Sequence, residues 1–284
     1  MRHRCFRLKS RGFPWRNLVC AAAALLGAAR ASAQEPSFTV GIVPQRSALE
    51  LALTWTPLLH KVGVMAKCHL RFETAKNIPT FQRRVAHRAY DLVYLNPDQY
   101  IVAHQERGYD AFLADREPLR SIIVVRKGSP IRSLAALAYR SVAFPAPGAL
   151  AASMLPQAYL RAHHIPISVT YVASHASVYR AVAAGFYAAG GGIMKTFRDF
   201  PKAVRDRLRI LWVGPPLPPH PLAIRPGIAK AVLVRIRQAF LHLSLTQAGR
   251  ALLAQIGARR FVKTSDAQYN VIRALHLDSA LAGP

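Results

Sequence analysis

Acidic residues are scarce in this 284-residue chain: 13 Asp and Glu stand against 39 Lys and Arg, a formal net charge of +26. Chemistry that needs paired titratable groups in a cleft therefore has few candidates, and no GxSxG, HExxH or P-loop motif compensates. An enzyme is not expected. Cysteine is scarcer still. Cys5 and Cys20 fall in the first 33 residues, leaving Cys68 alone in the remainder. No disulfide can then close within that remainder, and a structural metal site built on several cysteines is excluded. Neither a metal nor a cofactor is expected. Beyond residue 33 no uncharged apolar run reaches the length of about 20 residues that a spanning helix needs. A basic tract with interleaved aromatics is also missing. The dispersed Lys and Arg argue against a nucleic-acid partner.

What is present starts with an export signal. Arg2, Arg4, Arg7, Lys9, Arg11 and Arg16 precede an apolar run over 18–29, and Ala31-Ser32-Ala33 offers small residues at a cleavage site before Gln34. That order is the grammar of a cleavable secretory peptide, and it predicts a periplasmic protein. Asn17-Leu18-Val19 lacks the small residue wanted ahead of a lipidated cysteine, so Cys20 is not expected to carry an anchor. Removing the leader's seven basic residues leaves a net charge of about +19. This positive field suits an anionic ligand or an acidic membrane surface, but it equally fits a solvated Arg-rich surface.

The remaining 250 or so residues alternate short β-like runs with helical patterns. Strands are predicted at 38–43, 70–74, 91–95, 121–126, 141–144, 169–172, 188–193 and 208–213. Helices are predicted at 47–64, 78–88, 98–106, 149–163, from Ser174 or Ser177 to 184, and over 228–243 and 246–256. A last helix is expected from Ser265, with Gln268 completing a capping box. The rhythm implies mostly parallel sheets with helices on both faces. The Pro-rich passage 214–221 is expected to be extended and stiff, outside helix or central strand. Two α/β blocks follow, separated by the apolar strand 121–126 and the return 215–224. The expected division is 1–33 leader, 34–122 with 217–284 as one lobe, and 123–216 as the other.

Ligands of open α/β sheets bind beyond the carboxyl ends of strands. Those segments are Pro44-Gln45-Arg46-Ser47, Asn96-Pro97-Asp98, 145–152, Ser174-His175, and Gly190-Gly191-Gly192 with Lys195. Several runs in and around them resemble a known family. Tyr90-Asp91-Leu92-Val93-Tyr94-Leu95-Asn96-Pro97-Asp98-Gln99-Tyr100 is similar to the YDLAYLGPxxY segment of the phosphate/phosphite/phosphonate-binding proteins of ABC transporters. Ile122-Ile123-Val124-Val125-Arg126-Lys127-Gly128-Ser129-Pro130-Ile131 with Ser133-Leu134-Ala135-Ala136-Leu137 is similar to its VVRKDSPIxSLxDL. Gly41-Ile42-Val43-Pro44 with Trp55-Thr56-Pro57-Leu58, and Ser174-His175-Ala176-Ser177-Val178-Tyr179-Arg180-Ala181-Val182, follow the same family.

The resemblance implies a type II periplasmic-binding-protein fold, two α/β lobes joined by two crossovers that close on a solute by hinge motion. It also implies a small-molecule, anionic solute and an ABC permease as partners. The alternative is a sensor that signals to a membrane-bound kinase or cyclase. A monomer is expected. The family's Ser-Thr-Ser anion loop is replaced, however, by Ala149, Leu150 and Ala151, with Ala152 at the glycine and Ser153 the nearest hydroxyl. Three neutral hydrogen bonds on the order of 0.5–1.5 kcal/mol each are lost, leaving the backbone amides of that loop. Ala188 also stands where the family often carries an acid. The expected ligand-facing set is therefore Tyr94, Asn96, Tyr100, Ser121, Ala149, Leu150, Ala151, Ser153, Ser174, His175 and Lys195. One of the two tyrosines is expected in the core, and His220 is read as structural.

Overall fold

Two mixed sheets, each covered by helices on both faces, organise the chain in a computed structural model that describes residues 35–275. The leader and its cleavage site lie outside the described residues.

The first sheet has the order β11-β4-β10-β3-β1-β2. Its strands are β1 (Ser37–Ile42), β2 (His69–Glu73), β3 (Leu92–Tyr94), β4 (Asp110–Asp115), β10 (Pro221–Ile224) and β11 (Phe261–Lys263). Parallel β2-β1-β3 is the part the βαβ rhythm predicts, and β10 enters between β3 and β4 antiparallel to both. Helix α1 (Ala48–Ala66) buries Leu51, Trp55, Leu58, Leu59 and Val62, a stripe of helical spacing, against one face. Ser47 caps it through a reciprocal pair with Glu50. Helices α2 (Ile78–Ala86) and α3 (Pro97–Arg107) line the other face.

The second sheet runs β7-β6-β8-β5-β9, with β5 (Leu119–Arg126), β6 (Ser141–Phe144), β7 (Ser168–Tyr171), β8 (Ala189–Ile193) and β9 (Leu208–Leu217). Ile122 and Val124 face one apolar cluster and Ile123 and Val125 the other, as the period of two in a doubly covered strand requires. Helix α4 (Leu155–Ala162) follows a π-helical turn at Leu150–Met154, and α5 (His175–Ala184) and the short α6 (Met194–Arg198) complete the region nearest the first sheet.

Three expectations are corrected. The sheets are mixed, because each crossover returns the chain into its sheet backwards: β5 is antiparallel to β8 and β9. The Pro-rich passage is strand at both ends. Pro215 and Pro216 belong to β9, an edge strand that can spare the missing N–H, and Pro221 is the first residue of the central strand β10. The last helix expected from Ser265 is a 3₁₀ turn, Asp266–Tyr269, continued by a short α-helix, Asn270–Arg273, and Ser265 makes no side-chain cap. Strands β4 and β11 were not anticipated. The chain passes between sheets at 116–118 and 218–220, so all of β5 lies in the second sheet. After β10, α8 (Lys230–Leu243, following α7 at Lys202–Arg205) packs back onto α1.

Candidate functional site

The carboxyl ends of β1 and β3 place Gln45 and Asn96 side by side. Gln45 sits in the loop after β1, and Asn96 starts α3. The Gln45 Nε2 amide donates to Asn96 Oδ1 at 2.6 Å. His220, in the second crossover, brings its Nε2 within 2.9 Å of the same oxygen and 2.8 Å of Gln45 Nε2. Its ring stacks on Tyr94 at a centroid distance of 5.5 Å and 21° between planes. Trp55 supports Tyr94 from its other neighbourhood at 4.9 Å. Gln45 is exposed, so this cluster opens to solvent on one side, while Asn96 is buried.

His220 is pushed down to about 3, first by enclosure and then by the charges of Lys195 and His175. Both belong to the second lobe, which sets the second lobe's polar residues within electrostatic reach of the cluster. His175 opens α5 and is pushed down to about 4 by burial, so it is neutral at ordinary pH. Its Nδ1 lies 3.4 Å from Thr196 Oγ1, and Thr196 shares a 2.9 Å bond with the Tyr179 hydroxyl. Tyr179 fits because β8 is glycine at 192: a Cβ there would stand 2.3 Å from the hydroxyl. The Tyr94 hydroxyl is pushed up by burial and by Asp115, while Arg46 draws it down.

Lys195 is not a lone charge. Its Nζ pairs at 3.1 Å with Asp115, whose side chain is 6% exposed, tying α6 of the second lobe to the end of β4 in the first. Arg198 and Glu117 repeat the connection at 2.6 Å. Both link the same corner across the two lobes.

The remaining expected residues divide by what they touch. Tyr100 is fully buried, donates its hydroxyl to Asp266 Oδ1 at 3.0 Å and accepts from the Ala111 amide, so its hydrogen-bonding capacity serves the first lobe. Ser174 caps α5 by accepting from Ser177 N at 3.0 Å. Leu150 and Ala151 are buried in one apolar cluster with Val43, Phe81 and Tyr90 of the first lobe. Ala149 precedes them, half-buried, and its carbonyl accepts from the amides of Ser153 and Met154 at 2.7 and 3.1 Å, which makes the π turn. Ser121 and Ser153 are both fully buried, and neither hydroxyl has a hydrogen-bond partner among the described residues. Ser121 sits at the bulge where β5 skips register opposite Gly214-Pro215. An apolar groove of about 270 Å³ between α2 and α3 contains none of the expected site residues.

Asp115 and Thr196 were missed, Gln45 was marked only with its loop, and His220 was read as structural. Gln45 lies in a loop already marked by its place after β1. His220 had no signal beyond its position in a crossover.

The sequence profile of the family described as ABC transporter, phosphonate, periplasmic substrate-binding protein matches residues 40–269. The chain belongs to this family. Among curated proteins, none matches it significantly by sequence. A binding-protein component of a Pseudomonas aeruginosa phosphonate transporter superposes with a TM-score of 0.74 at 17% identity, over 88% of this chain and 90% of its own. PhnD1 from Prochlorococcus marinus, in complex with methylphosphonate, gives 0.75 at 15% identity over 86% and 98%. A Xanthomonas citri protein bound to ATP gives 0.71 at 16% identity over 87% and 98%. At these identities the likeness establishes the fold, the two-lobed type II binding-protein architecture. The family to which the chain belongs serves ABC permeases in the periplasm and is one of binding proteins, not of enzymes.

Proposed function

We propose that this chain captures a small anionic solute of the phosphonate, phosphite or phosphate kind between its two lobes and presents it to an ABC permease. The observation that supports the reading is the convergence of Tyr94, Asn96, Gln45 and His220 from the first sheet and second crossover. Lys195 and the neutral His175 of the second lobe lie within electrostatic reach of His220. The charges nearest the cluster are Arg46 and the Lys195–Asp115 pair, and because that pair offsets itself the net charge is one positive, from Arg46. Such a setting favours an anion over a cation. Among the molecules named with the structural neighbours, methylphosphonate and ATP carry P–O oxygens, and chloride, bound by the same Xanthomonas citri protein as ATP, is an anion without them.

In this reading residues 1–33 are removed on export, and the mature chain works as a monomer, its lobes divided at the passages 116–118 and 218–220. The ligand-facing set is Tyr94, Asn96 and His175, to which Gln45 and His220 are added. Ala149, Leu150 and Ala151 contribute an apolar wall, and Lys195 contributes through Asp115. Ser121 and Ser153 are reserve hydroxyls under that wall. A thermal-shift screen of the mature chain against methylphosphonate, phosphite, phosphate and methanesulfonate tests it. A rise in melting temperature with at least one P–O anion is expected, and no rise with any of them would overturn the anion reading.

A further inference from the structure

Gln45 Nε2, Asn96 Oδ1 and His220 Nε2 form a closed triangle with sides of 2.6, 2.8 and 2.9 Å. Each of these atoms plays a single role at any moment. An amide nitrogen donates, an amide oxygen accepts, and an imidazole nitrogen does one or the other according to its tautomer. A ring of three such atoms always contains one mismatched side. If His220 Nε2 carries the proton it satisfies Asn96 and faces the Gln45 amide donor to donor. If it does not, it accepts from Gln45 and opposes the Asn96 oxygen lone pair to lone pair. Rotating either amide only moves the mismatch to another side. An oxygen that donates and accepts together, a water in the unliganded site or a hydroxyl on a ligand, completes such a set. The triangle is open to solvent through exposed Gln45 and is floored by Tyr94.

We infer that the triangle is a recognition site for an O–H group on the ligand, the P–OH of a singly protonated phosphonate or related oxyacid. The inference rests on the proposed anion reading and deepens it. The ligand hydroxyl separates the three side chains, donating to Asn96 Oδ1 and accepting from Gln45 Nε2 or the protonated His220 Nε2. The other P–O oxygens are then left to Arg46 and to the polar side of the second lobe near His175. A fully ionised anion of the same shape and charge brings only acceptors and faces the Asn96 oxygen, which Asn96 can turn away only by giving up the capping bond its side chain accepts from the Gln99 backbone amide. Sites built to bond a hydroxyl reject analogues lacking it by large factors, because a buried group then goes unpaired.

Methanesulfonate and the methylphosphonate monoanion are near-isosteric anions of charge −1 that differ by that one proton, so they are the probes. Titration calorimetry of the mature chain at mildly acid pH is expected to show methylphosphonate binding at least about 100-fold more tightly than methanesulfonate. Equal affinities would overturn the inference while leaving the anion reading intact. A second measurement needs no ligand. Gln45→Leu removes the mismatch, so the unliganded variant is expected to melt no lower than wild type, whereas an ordinary structural bond would cost about 2–4 °C in a domain of this size. A drop of that size would likewise overturn it. If neither anion binds, the anion reading falls, and the melting temperature of Gln45→Leu still decides whether the triangle is a mismatched site or a structural contact.

Discussion

His175 and His220 show how one residue type acquires its role from enclosure. Both are held neutral, near 4 and 3, by burial, and His220 further by Lys195 and His175. An unfolded histidine titrates near 6.5, so between about pH 6.5 and 4 the unfolded chain binds protons that the folded one refuses. Stability is thus complete above pH 6.5 and falls as the pH drops toward 4. Melting temperatures measured across that range should decline, and the decline should be shallower in His220→Asn. His175→Ala should lose ligand affinity with little loss of stability, since the side chain's one polar contact is 3.4 Å long. Calorimetry with methylphosphonate checks it, and unchanged affinity would remove His175 from the site. Lys195→Met should strip Asp115 of its charge partner. A cost on the order of 1–3 kcal/mol by urea denaturation is expected, at the low end for a buried pair because Lys195 is 29% exposed.

At the scale of elements, the π turn over Leu150–Met154 and the glycine strand β8 depend on each other. A Cβ on Gly191 would lie 2.2 Å from the Ala152 carbonyl oxygen and 2.5 Å from the Phe144 ring. Gly191→Ala should therefore cost about 2 kcal/mol or more, read as a lower urea midpoint, because backbone and a buried ring cannot both yield. The run of three glycines, legible in the sequence only as an unusual strand, is there so that Val178, the π turn and Tyr179 can press directly onto the sheet. The same turn explains why the Ala149-Leu150-Ala151 replacement is tolerated. The side chains of Leu150 and Ala151 enter the apolar cluster of the first lobe, where burying them is favourable.

For the whole molecule, two kinds of contact hold the lobes together: the apolar wedge of Leu150, Met154 and Leu155 in the first lobe's cluster, and the pairs Lys195–Asp115 and Arg198–Glu117. The wedge is dry and insensitive to salt, whereas the Arg198–Glu117 pair is partly exposed and worth at most about 1 kcal/mol. Leu150→Ala should thus weaken closure more than Arg198→Ala. Small-angle scattering of the unliganded mature chain is expected to give a larger radius of gyration for Leu150→Ala, and equal radii in both variants would refute the ranking.

The amino-acid sequence by itself determined the alternation of strands and helices, the two-block organisation and the family, because apolar periodicity and the Tyr90–Tyr100 and Ile122–Ile131 runs are local signals. It also marked the loops after β1, β3 and β8 and the first turn of α5 as the places to look. Only the tertiary structure decided that Tyr100 serves the core, that Lys195 is already paired, and that Pro221 begins a central strand. Only it could bring His220 to Gln45 and Asn96, 175 and 124 residues away along the chain. Those outcomes depend on which strand lies beside which, and β10 entering its sheet backwards between β3 and β4 is what carries His220, from an unremarkable run of prolines, to the mouth of the site.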